Sequence, residues 1–69
     1  MNAAKIENSP RLQRVAAVLR RHKRALSTME IIAKAKVCAV SAIVSELREN
    51  GMDIRCRRDG EAWWYWVAP

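Results

Sequence analysis

Cysteine, glycine and histidine are scarce in this sequence, and each scarcity excludes a class of site. Two cysteines, Cys38 and Cys56, are too few for a disulfide scaffold, and we expect both to be small core residues. The two glycines leave no Gly-rich loop that could cradle a phosphate. His22, the only histidine, has no second His, Asp or Cys at metal-ligand spacing. No paired carboxylates or nucleophile–base constellation stands out, so we expect no enzyme, no metal site and no cofactor.

Long apolar runs are also missing. No stretch approaches the roughly 20 residues that cross a bilayer, and the polar N-terminus does not resemble a signal peptide. Together with the low cysteine content, these features predict a cytoplasmic protein without a membrane partner.

Positive charge is abundant. The 69 residues contain 13 Lys and Arg against 7 Asp and Glu, which gives a formal net charge of +6. A basic excess on one small domain favours a polyanionic partner, because lysine and arginine attract phosphates and release their counterions. The alternative is a basic surface that serves only solubility.

The chain begins with a predicted flexible arm, residues 1–8, followed by a single domain, residues 9–69. Ser9 and Pro10 predict a helix start, with Ser9 as the cap. Apolar residues then recur at helical spacing from Leu12 to Leu19. The helix is predicted to end in a basic run: Arg20, Arg21, His22, Lys23 and Arg24. These cations complement the helix dipole, and they either form a solvated face or contact phosphates.

The central stretch from Ser27 to Gly51 predicts two helices separated by a tight turn. A short strand is expected just before it, at Ala25-Leu26. Ser27 and Glu30 have the spacing of a capping box, which predicts the start of a second helix. The inner face of that helix is predicted to contain Met29, Ile32 and Ala33, with Ile31 beside them.

A third helix is predicted from about Val37-Cys38. Its apolar stripe consists of Val40, Ile43, Val44 and Leu47. Asn50-Gly51 should close it, because glycine tolerates the left-handed cap conformation.

The last stretch predicts a β-hairpin that turns at Asp59-Gly60. With these two as the loop, Cys56 pairs with Trp63, Ile54 with Tyr65 and Met52 with Val67, all on a buried face. Arg57 then pairs with Ala62, Arg55 with Trp64 and Asp53 with Trp66 on the exposed face. Trp63 and Tyr65 are predicted core anchors, whereas Trp64 and Trp66 are predicted to be exposed.

The order of helix, short strand, helix-turn-helix and hairpin resembles the winged helix-turn-helix proteins, an α+β fold. The small phage and prophage members are the most similar. They carry a run like Ser45-Glu46-Leu47-Arg48, then a glycine, then a hairpin opening like Met52-Asp53-Ile54. The resemblance covers Leu12 to Val67. It implies a protein of the bacterial host cell's cytoplasm, associated with the nucleoid if it binds DNA.

The resemblance implies binding to double-stranded DNA through the third helix and the wing, as a transcriptional regulator or an excisionase-like architectural protein. The matching positions, taken with the residues around them, predict DNA contacts at Lys34, Lys36, Ser41, Ser45, Arg48, Arg55, Arg57 and Arg58. Additional phosphate contacts are predicted at Arg20, Arg21, Lys23 and Arg24. Because few of these side chains read base edges, specificity would require a homodimer or cooperative assembly.

One position departs from the phage pattern, since Ile43 stands where an arginine often precedes the residue matched by Val44. A second hypothesis rests on Trp64 and Trp66, which as exposed rings on the hairpin would form an apolar patch: a phage-encoded inhibitor or adaptor that binds a host protein through them. A third is stacking of single-stranded bases on these aromatic residues.

Overall fold

The computed structural model describes residues 5–69. Over this range the order of elements is a 3-10 turn (Ile6–Asn8), α1 (Pro10–Arg21), β1 (Leu26–Ser27), α2 (Thr28–Ala35), α3 (Val40–Glu49), β2 (Ile54–Asp59) and β3 (Ala62–Val67). The strands form an antiparallel sheet in the order β1-β3-β2. Three helices and a hairpin wing thus make the predicted α+β fold.

Capping residues set the helix boundaries. The Ser9 hydroxyl accepts the Leu12 N–H at 3.4 Å, and Pro10 occupies the first position of α1. Ser27 and Glu30 form the predicted capping box of α2, each accepting the other's backbone N–H. These local patterns are confirmed, although α1 ends at Arg21, so Lys23 and Arg24 lie in the loop that follows.

The end of α3 is a Schellman motif. Gly51 has φ +93°, its N–H donates to the Arg48 carbonyl, and the Met52 N–H donates to the Leu47 carbonyl at 3.1 Å. Leu47 and Met52 are both buried, as this motif favours. The motif turns the chain from α3 into the wing.

The core lies between the three helices and one face of the sheet. The predicted stripe of α3 (Val40, Ile43, Val44, Leu47) is buried, as are Leu26 of β1 and the apolar residues of α1. The prediction for α2 is partly wrong: Ile32 packs against the core as predicted, but Met29 is 72% exposed and Ala33 is exposed, whereas Ile31 and Ala35 are buried. An eight-residue helix offers several overlapping stripes, so packing rather than spacing selects one.

The hairpin turns one residue later than predicted. Asp59 pairs with Ala62, leaving Gly60 and Glu61 in the turn, and Gly60 has φ +66° as the first position of a type II′ turn requires. Cys56 therefore pairs with Tyr65, Ile54 with Val67, Arg55 with Trp66 and Arg57 with Trp64. The pairing shifts by two residues, so every side chain keeps its predicted face.

The predicted arm divides into two parts. Residues 1–4 lie outside the described residues, whereas Ile6 packs against the core and its N–H donates to Asn50 Oδ1 at 3.0 Å. The 3-10 turn is thereby attached to the end of α3.

Candidate nucleic-acid interface

The exposed face of α3 presents short polar and small side chains. Ser41 and Ser45 are exposed on it, with Ala39 and Ala42 beside them. Glu46 accepts two hydrogen bonds from Arg11 of α1, at 3.0 and 3.3 Å. Of the two glutamates of this helix, Glu46 is therefore paired with the Arg11 guanidinium.

Arg48 connects α3 to the wing. Its Nε donates to the Ile54 carbonyl at 2.9 Å, and its Nη2 lies 3.6 Å from Cys56 Sγ. A guanidinium held in this way fixes the angle between α3 and β2 and keeps fewer donors for a base edge. Arg48, a predicted DNA-contacting residue, is therefore bonded to the first part of the wing, and its contact with DNA stays a prediction.

The hairpin presents different side chains on its two faces, because successive residues of a strand point to opposite sides. We call the face that continues the core the inner face; its distal part contains Cys56, Arg58 and Trp63. The opposite, outer face contains Arg55, Arg57, Trp64 and Trp66. The three predicted wing arginines therefore do not share one face: Arg58 lies on the inner face, and Arg55 and Arg57 lie on the outer one.

A cleft of about 600 Å³ joins α3 to the inner face of the wing. Ser41 and Arg48 border it from α3, Cys38 from the preceding turn, and Cys56 and Trp63 from the hairpin. The first turn of α3 and the inner face of the wing consequently open on one side of the molecule.

The predicted depth of the tryptophans is reversed. Trp63, a predicted core anchor, is 44% exposed and borders the cleft beside α3 instead of lying in the core. Trp64 and Trp66, predicted to be exposed, are partly buried. Both line a groove between the outer face and the segment from Leu19 to Ala25, which partly covers them.

The cysteines are also not where we predicted them. Cys38 lies in the turn before α3, Cys56 lies on the distal wing, and both are free and exposed. Within residues 5–69, no group of three or more His, Cys, Asp and Glu side chains could hold a metal ion.

The two lysines near the turn differ in their surroundings. Lys36 has φ 56° and ends α2 in a left-handed conformation. Lys34 lies near His22, whose pKa is lowered by partial burial and by the positive charges of Lys34, Arg24 and Arg21. Lys34 thus contributes to the positive potential at the end of α1.

The ion pairs of the outer face lie within one strand. Arg55 donates to Asp53 at 3.1 Å, which lowers the pKa of the Asp53 carboxyl, and Arg57 lies 3.8 Å from Asp59. Arg58 forms no ion pair or hydrogen bond with any described side chain, so its charge faces solvent beside Trp63.

Sequence reasoning missed Trp63 and Cys56 as surface residues of the candidate interface. Both residues stand at positions that the alternation of the strands predicts to be buried. Alternation alone does not indicate how far a hairpin extends past its helices. The length of the predicted hairpin could have indicated their exposure. Its two strands have six residues each, whereas the neighbouring β1 has two, so most of the hairpin has no third strand beside it.

Three helices, a two-residue strand and a projecting hairpin, with α3 and the wing open on one side, define a winged helix-turn-helix. The family model for the winged helix-turn-helix domain matches residues 11–63. The chain therefore belongs to the winged helix-turn-helix family, a class of DNA-binding domains that are typically not enzymes. No match was found among curated proteins or solved structures. Within the described part of the chain, no helix has the length and apolar character needed to span a membrane.

Proposed function

We propose that this chain is a transcriptional regulator, or an excisionase-like architectural protein of phage type, that binds double-stranded DNA with α3 and the inner face of the wing. The observation that supports this proposal is the shared orientation of the first turn of α3 and the distal inner face. Ser41 lies on one side of their cleft and Trp63 on the other, with Arg58 opposite Trp63 in the ladder. A duplex can contact both elements when α3 enters the major groove.

The proposed contacts differ in what they contribute. Ser41 and Ser45 reach base edges, whereas Arg58, Lys36 and Lys34 neutralise phosphates and set the register. Serine discriminates bases weakly, so we propose that specificity comes from a homodimer or from cooperative binding along the duplex. Sedimentation velocity with and without a two-site duplex measures this, and a strictly non-cooperative monomer contradicts it.

The decisive experiment is fluorescence anisotropy of a labelled duplex titrated at several salt concentrations. Arg58→Ala is expected to lower the slope of log affinity against log salt by about one, because one phosphate contact is lost. Arg57→Ala is the matched control, since it removes the same charge from the outer face. Equal effects of the two changes would contradict the orientation that we propose.

A second pair of variants tests α3. Ser45→Glu is expected to reduce duplex affinity at least about tenfold through repulsion of phosphates, whereas Ser45→Ala has only a small effect. Unchanged binding of the Ser45→Glu protein, with an unchanged circular dichroism spectrum, would exclude α3 from the interface.

We propose as a second candidate function an inhibitor or adaptor that binds a host protein through Trp64 and Trp66. The observation that favours it is their position in the groove on the outer face, directed away from the cleft beside α3. Tryptophan is enriched among the side chains that dominate protein interfaces.

A further inference from the structure

The groove on the outer face is separate from the surface beside α3. It has a volume of about 950 Å³ and lies between the hairpin and the end of α1. Among the described residues, those that line it come from α1, the following loop, the hairpin and the C-terminal segment, and none comes from α3. A ligand in this groove would leave the cleft beside α3 open.

The lining of the groove is largely apolar. Trp64 and Trp66 provide aromatic surface, and the buried Leu19 lies at the base. Trp64 Nε1 is buried and has no hydrogen-bond partner among the described residues. A buried N–H without an acceptor is unfavourable, so a shift of the Trp64 ring that brings this N–H to a carbonyl or carboxylate oxygen of a ligand would be favoured.

The rim of the groove is positively charged. Arg20 and Lys23 form no ion pair with any described residue, and Arg57 has only the carboxylate of Asp59 at 3.8 Å. Arg24, in contrast, is held by Glu30 at 2.7 Å. The rim therefore has two unpaired cations, Arg20 and Lys23, on the α1 side of the tryptophans, and on the hairpin side Arg57 in a loose ion pair with Asp59.

We propose that this groove binds an acidic peptide segment of a partner protein, one that carries a leucine or an aromatic anchor. The anchor packs against Trp64 and Trp66, and the carboxylates pair with Arg20, Lys23 and Arg57. This assignment rests on the second function proposed above and adds the chemistry of the partner. A DNA duplex would satisfy the cations but offers the tryptophans only thymine methyls and sugar carbons, whereas an acidic peptide with a leucine or aromatic anchor fills the apolar groove and also pairs with the cations.

The separation of the two surfaces gives the proposal a consequence. With peptide on the outer face and DNA on α3, the domain forms a ternary complex, and each ligand binds with nearly the same affinity in the presence of the other. The wing would then link a partner protein to a DNA site.

The test is a titration followed by ¹H–¹⁵N NMR. The probe is a short synthetic peptide that alternates aspartate with leucine and phenylalanine; a control peptide replaces each aspartate by lysine. We expect the acidic peptide to shift the indole N–H signals of Trp64 and Trp66 and to leave that of Trp63 nearly unchanged. Trp63, on the inner face, serves as an internal control.

The other outcomes separate the two levels of the proposal. Binding of both peptides at Trp64 and Trp66 overturns the acidic preference but keeps a protein interface. If neither peptide binds at low salt, both the acidic preference and the protein interface are overturned. If oligo-deoxythymidine, and not the acidic peptide, shifts these two signals, the groove is a single-strand site and the proposal is wrong.

Charge reversals provide variants that keep the fold. Lys23→Glu with Arg57→Glu is expected to weaken the acidic peptide about tenfold or more and to weaken the duplex by a clearly smaller factor, because the lost positive charge lies away from α3 and is partly screened by salt. Arg58→Glu, the neighbouring arginine on the inner face, should do the opposite. A loss of peptide binding in Arg58→Glu, without one in the double variant, would place the peptide on the wrong face and overturn the proposal.

Discussion

The two faces of the hairpin differ in what supports them. The inner face is anchored at its base, where Ile54 and Tyr65 join the core, and is more exposed toward its tip, where Trp63 is 44% exposed and borders the cleft beside α3. The outer face lies against the end of α1 and the loop that follows it, which partly cover Trp64 and Trp66. Because side chains alternate along the two six-residue strands, the hairpin has two different faces. The inner face joins the core and carries the proposed DNA contact, and the outer face carries the proposed peptide site.

The largest expected effect distinguishes the base of the inner face from its tip. Tyr65→Ala should lower the free energy of unfolding by roughly 3–5 kcal/mol, because it removes a buried ring from a small core. Trp63→Ala should lower it by about 1 kcal/mol or less, because that ring is 44% exposed. Urea denaturation followed by circular dichroism measures both.

A domain of this size has only a few kcal/mol of stability, so we expect Tyr65→Ala to leave too little folded protein for a complete unfolding curve. Tyr65→Leu keeps much of the buried volume and should retain a cooperative transition. Equal decreases in the free energy of unfolding for Trp63→Ala and Tyr65→Leu would show that the tip of the wing is as well packed as its base. That result would contradict the difference between base and tip that we describe.

A smaller effect is expected at Arg48, which sets the position of the wing against α3. Arg48→Ala removes the hydrogen bond to the Ile54 carbonyl and should lower stability by about 1 kcal/mol, since the side chain is exposed. If Arg48 acts by positioning, duplex affinity falls by a similar factor for every DNA sequence. Anisotropy against a panel of duplexes tests this, and a loss confined to one base position would identify Arg48 as a base-reading residue.

Local signals in the sequence predicted most of the fold. The cap at Ser9, the capping box at Ser27 and the glycine after α3 each depend on residues within one helical turn. The stripe of α3 was readable for the same reason. The predictions that were wrong concern features that depend on tertiary packing. These are the buried side of α2, the burial of the tryptophans and the exposure of both cysteines.

The candidate site was only partly predictable. Strand alternation assigned the wing residues to their faces, although Asp59-Gly60 and Gly60-Glu61 both satisfy hairpin turns and only the paired strands select the second. Neither the groove beside Trp64 nor the connection from Arg48 to β2 has a local signal, because each joins segments distant along the chain.

The smallest expected effect concerns the pair that holds Arg24 beside the outer groove. The guanidinium of Arg24 and the backbone N–H of Ser27 lower the pKa of Glu30 from 4.5 to about 2. A carboxyl whose pKa is lower in the folded chain binds its proton more readily after unfolding, so the pair stabilises the fold fully above pH 4.5. That contribution is lost as the pH falls from 4.5 toward 2.

Thermal denaturation across this pH range measures the effect. Glu30→Gln should lower the melting temperature slightly at neutral pH and flatten the decline between pH 4.5 and pH 2. Asp59→Asn is the matched control, since it removes an exposed carboxylate of the outer face that has only a loose partner at 3.8 Å. If the two variants show the same pH profile, Glu30 is no more important for the fold than a surface charge. Arg24 would then be as mobile as Arg20 and Lys23, and the rim of the outer groove would gain a third free cation.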